Sequence, residues 1–129
     1  NTLNARLETL HEKPSFKNML GNRCLIPADG FLEWQWQDPK GKQKIKYLLE
    51  ISESPIFVFA GLWSQWVEPS SGNVIPTFTI ITTEANPLMA EIHNTKKRMP
   101  VILTPESEKL WLEKGEISMW NDKLSAVAV

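Results

Sequence analysis

The sequence FLEWQWQ at positions 31–37 is followed by DPKG at 38–41 and by KQKIKYLLEI at 42–51, and these stretches decide the fold class. Large apolar and polar residues alternate through 31–37, as they do in a strand with one covered face. Asp, Pro and Gly between the two longer stretches supply the chemistry of a tight turn. The three stretches together predict a β-hairpin.

Lysines recur at every second position across this hairpin, so on a strand they would share one face. They are Lys40, Lys42, Lys44 and Lys46. Such a row usually faces solvent, and a stripe that follows a nucleic-acid phosphate backbone is the alternative. The six tryptophans of the chain pose a similar choice between packing in the core and its rim and a platform on which bases stack.

Turn-forming residues punctuate the first two thirds of the chain at the spacing typical of successive strands. A turn is predicted at 27–30 and a polar loop at 68–73. Strands or extended segments are predicted over 24–26, 56–63, 77–82 and 99–103. The continuous apolar pattern of 56–63 is that of a strand covered on both faces. The body of the protein is therefore expected to be rich in β-structure.

Helices are expected at three places. Residues 14–20 are a short candidate, and Asn86 can cap a second helix that begins at a proline and delivers His93 at its end. Thr104 can cap a third, which also opens on a proline and ends before Gly115. Beyond Trp120 no periodicity is visible, so the end of the chain is expected to be a loosely held tail.

Composition excludes several classes of protein. The 129 residues suit one domain. With 14 basic and 15 acidic residues the net charge is −1, which excludes a uniformly basic nucleic-acid coat. The apolar fraction of 42% is that of a globular protein, and the longest apolar run, 56–63, is far short of the roughly 20 residues of a membrane helix. We expect no membrane association.

The single cysteine, Cys24, cannot form an internal disulfide, and with only two histidines the chain lacks a C-x-x-C type zinc site. The simplest expectation is an intracellular, metal-free protein. Residues 1–10 lack the apolar core of a secretory signal. Because position 1 is not Met, we expect a fragment or a processed product.

Common catalytic signatures such as G-x-S-x-G, H-E-x-x-H and the Walker loop are missing from the sequence, so polar residues in apolar surroundings are the informative ones. Glu33 is flanked by aromatic and aliphatic residues. In an apolar pocket it could donate a proton near neutral pH, whereas strand alternation could instead turn it to solvent. It is the first candidate for acid–base chemistry.

Two further candidate sites are His93 and the pair formed by Asn4 and Arg6. His93 precedes the cationic run 94–98 and could bind or protonate an oxygen of an anionic ligand, or merely cap its helix at the surface. Asn4 and Arg6 stand two apart, so on an extended segment both could address one ligand. An ordinary ion pair of Arg6 is the alternative.

Six ordered blocks of the sequence resemble the SRAP family, the SOS response-associated peptidases or abasic-site processing proteins. The blocks are NARLET at 4–9, RCLIPADGFLEW at 23–34, FAGLW at 59–63, TIITTEAN at 79–86, IH at 92–93 and RMPVIL at 98–103. The resemblance implies an α+β fold, a strongly bent, mainly antiparallel β pseudo-barrel with short peripheral helices. It also implies one domain over 1–129 that lacks the N-terminal segment of the family.

The resemblance implies recognition of single-stranded DNA that carries an abasic site, followed by covalent capture of the sugar aldehyde. In the family the nucleophile is a cysteine exposed at the N-terminus after self-removal of the initiator Met. Its amine forms an imine and its thiol then closes a thiazolidine. Cys24 cannot replace it, because the nitrogen of Cys24 is an amide. We therefore expect this polypeptide by itself not to form the crosslink.

Roles carry over from the family motif by motif. Asn4 would orient the N-terminal cysteine, Glu33 would shuttle protons, and His93 would assist opening of the sugar. Phosphates would be held by Arg6, Thr82 and Arg98. No cofactor is implied, and the partner would be abasic single-stranded DNA, bound by a monomer in the cytoplasm that associates with the nucleoid when on DNA.

Two features depart from the family pattern. The link from His93 to Arg98 is longer than is common, which makes the phosphate role of Arg98 less secure than that of Arg6. Leu32 stands where a tyrosine is common, so Glu33 has a more apolar neighbour. Two other functions stay open: a noncovalent single-strand binding module, and a peptidase that acts on other proteins.

Overall fold

The structure is a computed structural model that describes residues 4–12 and 19–129. Within these ranges the strands are, in chain order, β1 (Asn4–Arg6), β2 (Arg23–Ala28), β3 (Phe31–Trp36), β4 (Lys44–Ile51), β5 (Phe57–Val67), β6 (Val74–Glu84), β7 (Arg98–Pro100), β8 (Ile102–Leu103) and β9 (Leu124–Ala128). The helices are α1 (Pro87–Ile92) and α2 (Glu108–Lys114), with single 3-10 turns at Leu7–Thr9, Pro105–Ser107 and Asn121–Lys123. Most of the helix predicted over 14–20 lies outside the described residues.

The larger sheet has the strand order β1-β6-β5-β2, with β7 also paired to β6 and β8 to β5. All of these pairs are antiparallel except β1 with β6, which run parallel. The strands predicted at 24–26 and 77–82 are present and longer at both ends, and the one predicted at 56–63 runs on to Val67. The extended stretch predicted at 99–103 is divided into the two short strands β7 and β8. The predicted turn at 27–30 is shorter, because the chain stays extended through Ala28. A bent, mainly antiparallel β half-barrel with few short helices is confirmed as the fold class.

The smaller sheet has the order β3-β4-β9 and contains the predicted hairpin. Its turn is held by Asp38, whose carboxylate accepts backbone N–H groups of Gln43 at 2.7 Å, Lys40 at 3.0 Å and Lys42 at 3.2 Å. These hydrogen bonds lower the pKa of Asp38. Gly41 completes the turn with a φ of 68°, a conformation that favours glycine.

The expectation of a loosely held tail is wrong. Residues Leu124–Ala128 form β9, which pairs antiparallel with β4 so that Leu124 lies opposite Ile51. Asn121, just before it, is buried and accepts the backbone N–H of Ile102 at 3.1 Å while donating to the carbonyl of Pro100 at 2.8 Å. The strand shows little hydrophobic pattern because its inward residue after Leu124 is a small one, Ala126.

Both predicted caps after residue 80 mark helices, in different ways. Asn86 accepts the N–H of Met89 at 2.9 Å, as predicted. Thr104 makes no side-chain cap, and the chain first forms the 3-10 turn before α2 begins at Glu108. Gly115 ends α2 with a φ of 71°, as its position predicts.

The core has two clusters of buried side chains. One packs α2 against the larger sheet and centres on Trp111. The other lies between the two sheets, where Phe59 makes edge-to-face contacts with Phe31 and Phe57 at ring-centre distances of 5.7 Å. Three tryptophans are instead exposed: Trp34, Trp63 and Trp66. Packing therefore explains Trp111 and does not account for all six rings.

Candidate active site

Strand alternation decides where Glu33 points. Its neighbours Leu32 and Trp34 are 54% and 47% exposed, whereas Phe31 and Glu33 lie on the opposite, partly buried face of β3. That face lines a pocket between the two sheets. Glu33 is therefore half-buried in the lining of this pocket, to which Phe31 and Phe59 also belong.

This pocket, called here the polar pocket, has a volume of about 320 Å³. It is lined by Asn4, Phe31, Glu33, Phe59, Ile80, Thr82, His93, Arg98, Met99 and Pro100. Its size is at the lower end of small-molecule sites, which span about 300–1,000 Å³. Of the six site residues predicted from the sequence, the structure brings five together here, and only Arg6 lies outside the lining.

Asn4 and Arg6 reach the site through β1. The strand runs parallel to β6, with Asn4 opposite Ile80 and Arg6 opposite Thr82. Ala5 between them is fully buried, so Asn4 and Arg6 share the other face of the strand. Asn4 faces the polar pocket, and Arg6 continues the row beyond it.

His93 is presented by the end of α1. Its backbone N–H donates to the carbonyl of Met89 at 2.7 Å, and its Nδ1 accepts the backbone N–H of Arg98 at 3.0 Å. Nδ1 also lies 3.1 Å from the carbonyl oxygen of Arg98, so the backbone of Arg98 can donate to this nitrogen or accept from it, according to the tautomer. The imidazole at the pocket wall is thus oriented, and its Nε2 is the nitrogen left for a ligand.

Arg98 forms the wall on the other side and is held by Glu8. Its Nη1 and Nη2 donate to the two carboxylate oxygens of Glu8 at 3.1 and 2.8 Å, and Nη2 also donates to the hydroxyl of Thr82 at 3.1 Å. Glu8 further accepts the backbone N–H of Glu84 at 3.1 Å and the hydroxyl of Thr83 at 3.2 Å. The hydrogen bonds from Arg98 lower the pKa of Glu8 to about 2.

Sequence reasoning did not find Glu8. It lies in the NARLET block, but an acidic residue in a polar stretch has no local mark that separates it from a solvated one. The ion pair with Arg98 joins positions 90 apart in the chain. The pairing of both β1 and β7 with β6 brings the two groups together.

A second pocket of about 320 Å³, called here the basic basin, lies on the far side of Arg98. It is lined by Arg6, Glu8, Glu84, Lys96, Lys97 and Arg98. Arg98 belongs to both linings, so the two pockets are adjacent. The structure therefore places Arg6 beside the other five predicted site residues.

Cys24 lies away from the lining of the polar pocket, on β2 opposite Gly61. It is half-buried, and burial raises the pKa of its thiol. A thiol with a raised pKa is a weak nucleophile at neutral pH.

The described residues contain neither a cluster of metal ligands nor a membrane-spanning helix. Over residues 4–12 and 19–129, no three His, Cys, Asp or Glu side chains come together as a metal site. No helix in the same ranges is long and apolar enough to cross a membrane.

The fold and the pocket define a class: a bent β half-barrel whose two sheets enclose a pocket lined by a carboxylate, an imidazole and a carboxamide. The model of one family with the description SOS response associated peptidase (SRAP) matches residues 1–128. The chain belongs to this family.

Curated relatives carry related names. The abasic site processing protein YoqW of Bacillus subtilis (strain 168) is 53% identical over 111 residues, which cover 85% of this chain and 47% of YoqW. The abasic site processing protein HMCES of Xenopus tropicalis is 34% identical over 133 residues, covering 90% of this chain and 39% of HMCES. The chain spans less than half the length of each.

Two solved structures match nearly the whole of this chain. A crystal structure of a protein from Bacteroides thetaiotaomicron superposes with a TM-score of 0.87 at 38% identity, over 99% of this chain and 58% of the other. A protein from Bordetella bronchiseptica gives a TM-score of 0.82 at 29% identity, over 98% and 64%. Both structures support the same fold for this chain.

Proposed function

We propose that this chain is the lesion-binding part of an abasic-site processing protein, and that its polar pocket receives the deoxyribose of an abasic site in single-stranded DNA. The observation that carries the proposal is the meeting of Asn4, Glu33 and His93 around one pocket, from three distant parts of the chain. The names of the relatives YoqW and HMCES agree with it.

The chemistry begins with the sugar, which reacts as its open-chain aldehyde. Opening breaks the bond from C1′ to the ring oxygen, and that oxygen must gain a proton while the C1′ hydroxyl loses one. With a proton on Nε2, His93 is the donor suited to the ring oxygen. A carboxylate at Glu33 can accept the proton of the hydroxyl.

In the complete protein, the aldehyde is then captured in two steps. The amine of an N-terminal cysteine adds to C1′, and one of its protons passes to the carbonyl oxygen. Glu33 then returns its proton to this hydroxyl, which leaves as water, and takes the remaining proton of the nitrogen, so that a neutral imine remains. The thiol next adds across the imine, its sulfur to carbon and its hydrogen to nitrogen, which closes the thiazolidine. Asn4 orients the cysteine through its carboxamide.

Phosphates on either side of the sugar require cations. Thr82, Arg98 and Arg6 follow one another from the polar pocket into the basic basin. Arg98 is already paired with Glu8, so a phosphate would have to share its guanidinium with that carboxylate. Arg6 has no such partner among the described residues and is the freer of the two.

The test uses the complete protein that contains this domain, incubated with single-stranded DNA carrying one abasic site and analysed on a denaturing gel. A slow-migrating product should form, and Glu33→Gln should slow it by about 10²–10⁴-fold, the usual contribution of general acid–base catalysis. Glu113→Gln, a change at an exposed carboxylate on α2, is the matched control. The absence of a product, or equal rates for Glu33→Gln and wild type, would refute the proposal.

A noncovalent single-strand binding module is the second candidate, and the outer face of the hairpin favours it. The ammonium of Lys46 lies 5.5 Å from the ring centre of Trp34, and that of Lys44 lies 5.4 Å from Trp36. Trp34 and Lys44 are exposed, whereas Trp36 and Lys46 are half-buried. Aromatic and cationic pairs of this kind suit stacked bases and phosphates. This candidate predicts equal affinity for intact and abasic strands.

The peptidase alternative has less support for substrates other than the protein itself. The lining of the polar pocket contains neither serine nor cysteine among the described residues. A nucleophile for an external peptide would have to come from elsewhere in the complete protein.

A further inference from the structure

The basic basin carries more positive charge than the ion pair of Arg98 with Glu8 neutralises. Its lining has four cations and two carboxylates, and Glu8 is taken by Arg98. The remaining charged groups of the lining are three cations, Arg6, Lys96 and Lys97, and one carboxylate, that of Glu84. In the part of the chain that the structure describes, none of these three cations is in an ion pair. The basin therefore carries uncompensated positive charge next to the polar pocket.

The two lysines stand on the extra length between His93 and Arg98, and this segment is held in place. The side chain of Asn94 accepts the backbone N–H of Trp36 at 3.1 Å and donates to the Trp36 carbonyl at 2.8 Å. At the other end, Lys97 donates its N–H to the His93 carbonyl at 2.8 Å and accepts the N–H of Ala85 at 3.1 Å. The backbone is thus anchored to both sides of the site.

The lysine side chains, in contrast, are exposed. Lys97 has a φ of 55°, a left-handed conformation that non-glycine residues seldom adopt. The loop therefore presents two charged side chains from an anchored backbone, and neither side chain has a hydrogen-bond acceptor within residues 4–12 and 19–129. An anionic ligand is the partner that this arrangement fits.

We propose that the loop at 94–97 forms a second phosphate subsite, in which Lys96, Lys97 and Arg6 bind a phosphate of the DNA strand next to the abasic nucleotide. The proposal rests on the function proposed above, because a sugar in the polar pocket leads its neighbouring phosphate past Arg98 into the basin. Arg98, neutralised by Glu8, then separates the sugar in the polar pocket from the phosphate in the basic basin.

The experiment measures binding of this chain to a fluorescent single strand that contains one tetrahydrofuran, an unreactive abasic analogue, and to the same strand intact, over a range of salt. The test variant is Lys96→Gln/Lys97→Asn, in which Asn suits the left-handed position. The control is Lys109→Gln/Lys123→Gln, which removes two exposed lysines outside both linings. Near-ultraviolet circular dichroism checks the fold, and Lys96→Gln alone replaces the double variant should that fail to fold.

A log–log plot of affinity against salt should lose about 0.7 units of slope in the test variant, the value for one neutralised phosphate on a single strand. The slope of the control should stay within error of wild type. An unchanged slope in the test variant, or an equal loss in both variants, overturns the subsite.

The two proposals fail in different ways. Equal affinity for the two strands with a reduced slope in the test variant supports the phosphate subsite and contradicts the abasic-site function. A preference for the abasic strand with an unchanged slope does the reverse. No binding of either strand by the folded wild-type chain contradicts both.

Discussion

Glu8 is the residue on which the geometry of the site depends most. Its carboxylate takes both Nη groups of Arg98, and it also accepts donors from Thr83 and Glu84. A bidentate pair of this kind holds the guanidinium in one plane. Arg98 therefore keeps a defined position between the polar pocket and the basic basin, and the free cations around it are left to bind ligand.

The pH dependence of stability tests this pair. The pKa of Glu8 lies at about 2 in the folded protein, below its ordinary value of 4.5, because of the hydrogen bonds from Arg98. A lowered folded pKa means that ionised Glu8 stabilises the fold above about pH 4.5, and this contribution is lost as the pH falls towards 2. Since Glu8 is 41% exposed, the contribution is at most about 1 kcal/mol.

The measurement is urea unfolding of wild type and Glu8→Gln at a series of acidic pH values. The difference in the free energy of unfolding should be largest above pH 4.5 and shrink towards pH 2. Glu113→Gln, which disturbs only an exposed pair with Lys109 at 3.8 Å, should show no such trend. Parallel curves for Glu8→Gln and wild type would contradict the ion pair.

The sequence singled out Glu33 and His93 because each has unusual neighbours. Asn4 and Arg6 were candidates because they stand two apart, and the family resemblance added Thr82 and Arg98. Their arrangement depends on the tertiary fold. Strand alternation left open whether Glu33 faces a pocket or solvent, and the fold places it on the face of Phe31, in the lining of the polar pocket. The partner of Arg98 could not be predicted, because nothing within the NARLET block relates Glu8 to a residue so distant in the chain.

Among the elements, α1 matters most for the site because its end carries His93. The helix has only the six residues Pro87–Ile92, so its own backbone hydrogen bonds stabilise it little. Asn86 compensates at the start, where it accepts from Met89 and donates to the carbonyl of Asn121 at 3.1 Å. The cap thus links α1 to the segment that leads into β9.

Removal of this cap should destabilise the protein. Asn86→Ala loses both hydrogen bonds and should lower the free energy of unfolding by about 1 kcal/mol, within a range of roughly 0.5–2. Asn86→Ser keeps an oxygen that caps the helix and should recover most of the loss. Urea unfolding of the three proteins makes the comparison, and equal stability of Asn86→Ala and wild type would show that the cap contributes nothing.

Local sequence signals were enough to predict some of the helices and strands. The hairpin of β3 and β4 and the start of α1 each follow from turn or cap residues within a few positions. β9 was not predicted, because its extended form depends on pairing with β4, some 75 positions earlier in the chain. The 3-10 turn before α2 was missed for a related reason: Ser107 is buried and donates to the carbonyls of Thr104 and Ser118.

On the scale of the whole molecule, the two sheets matter because they bring distant segments to one place. β3 of the smaller sheet supplies Glu33, while β1, β6 and β7 of the larger sheet supply Asn4, Thr82 and Arg98. His93 comes from the end of a helix between β6 and β7. No short motif could encode such a site, which is why only the ordered blocks of the family pointed to it before the fold was known.

The most direct test of the central claim is an NMR titration of the isotope-labelled chain with a short single strand containing tetrahydrofuran. We expect the largest shifts at the side-chain amide of Asn4, the imidazole of His93 and the backbone of Glu33, with smaller shifts when the strand is intact. Shifts confined to the outer face of the hairpin at Trp34 and Lys46, or equal shifts for both strands, would contradict it.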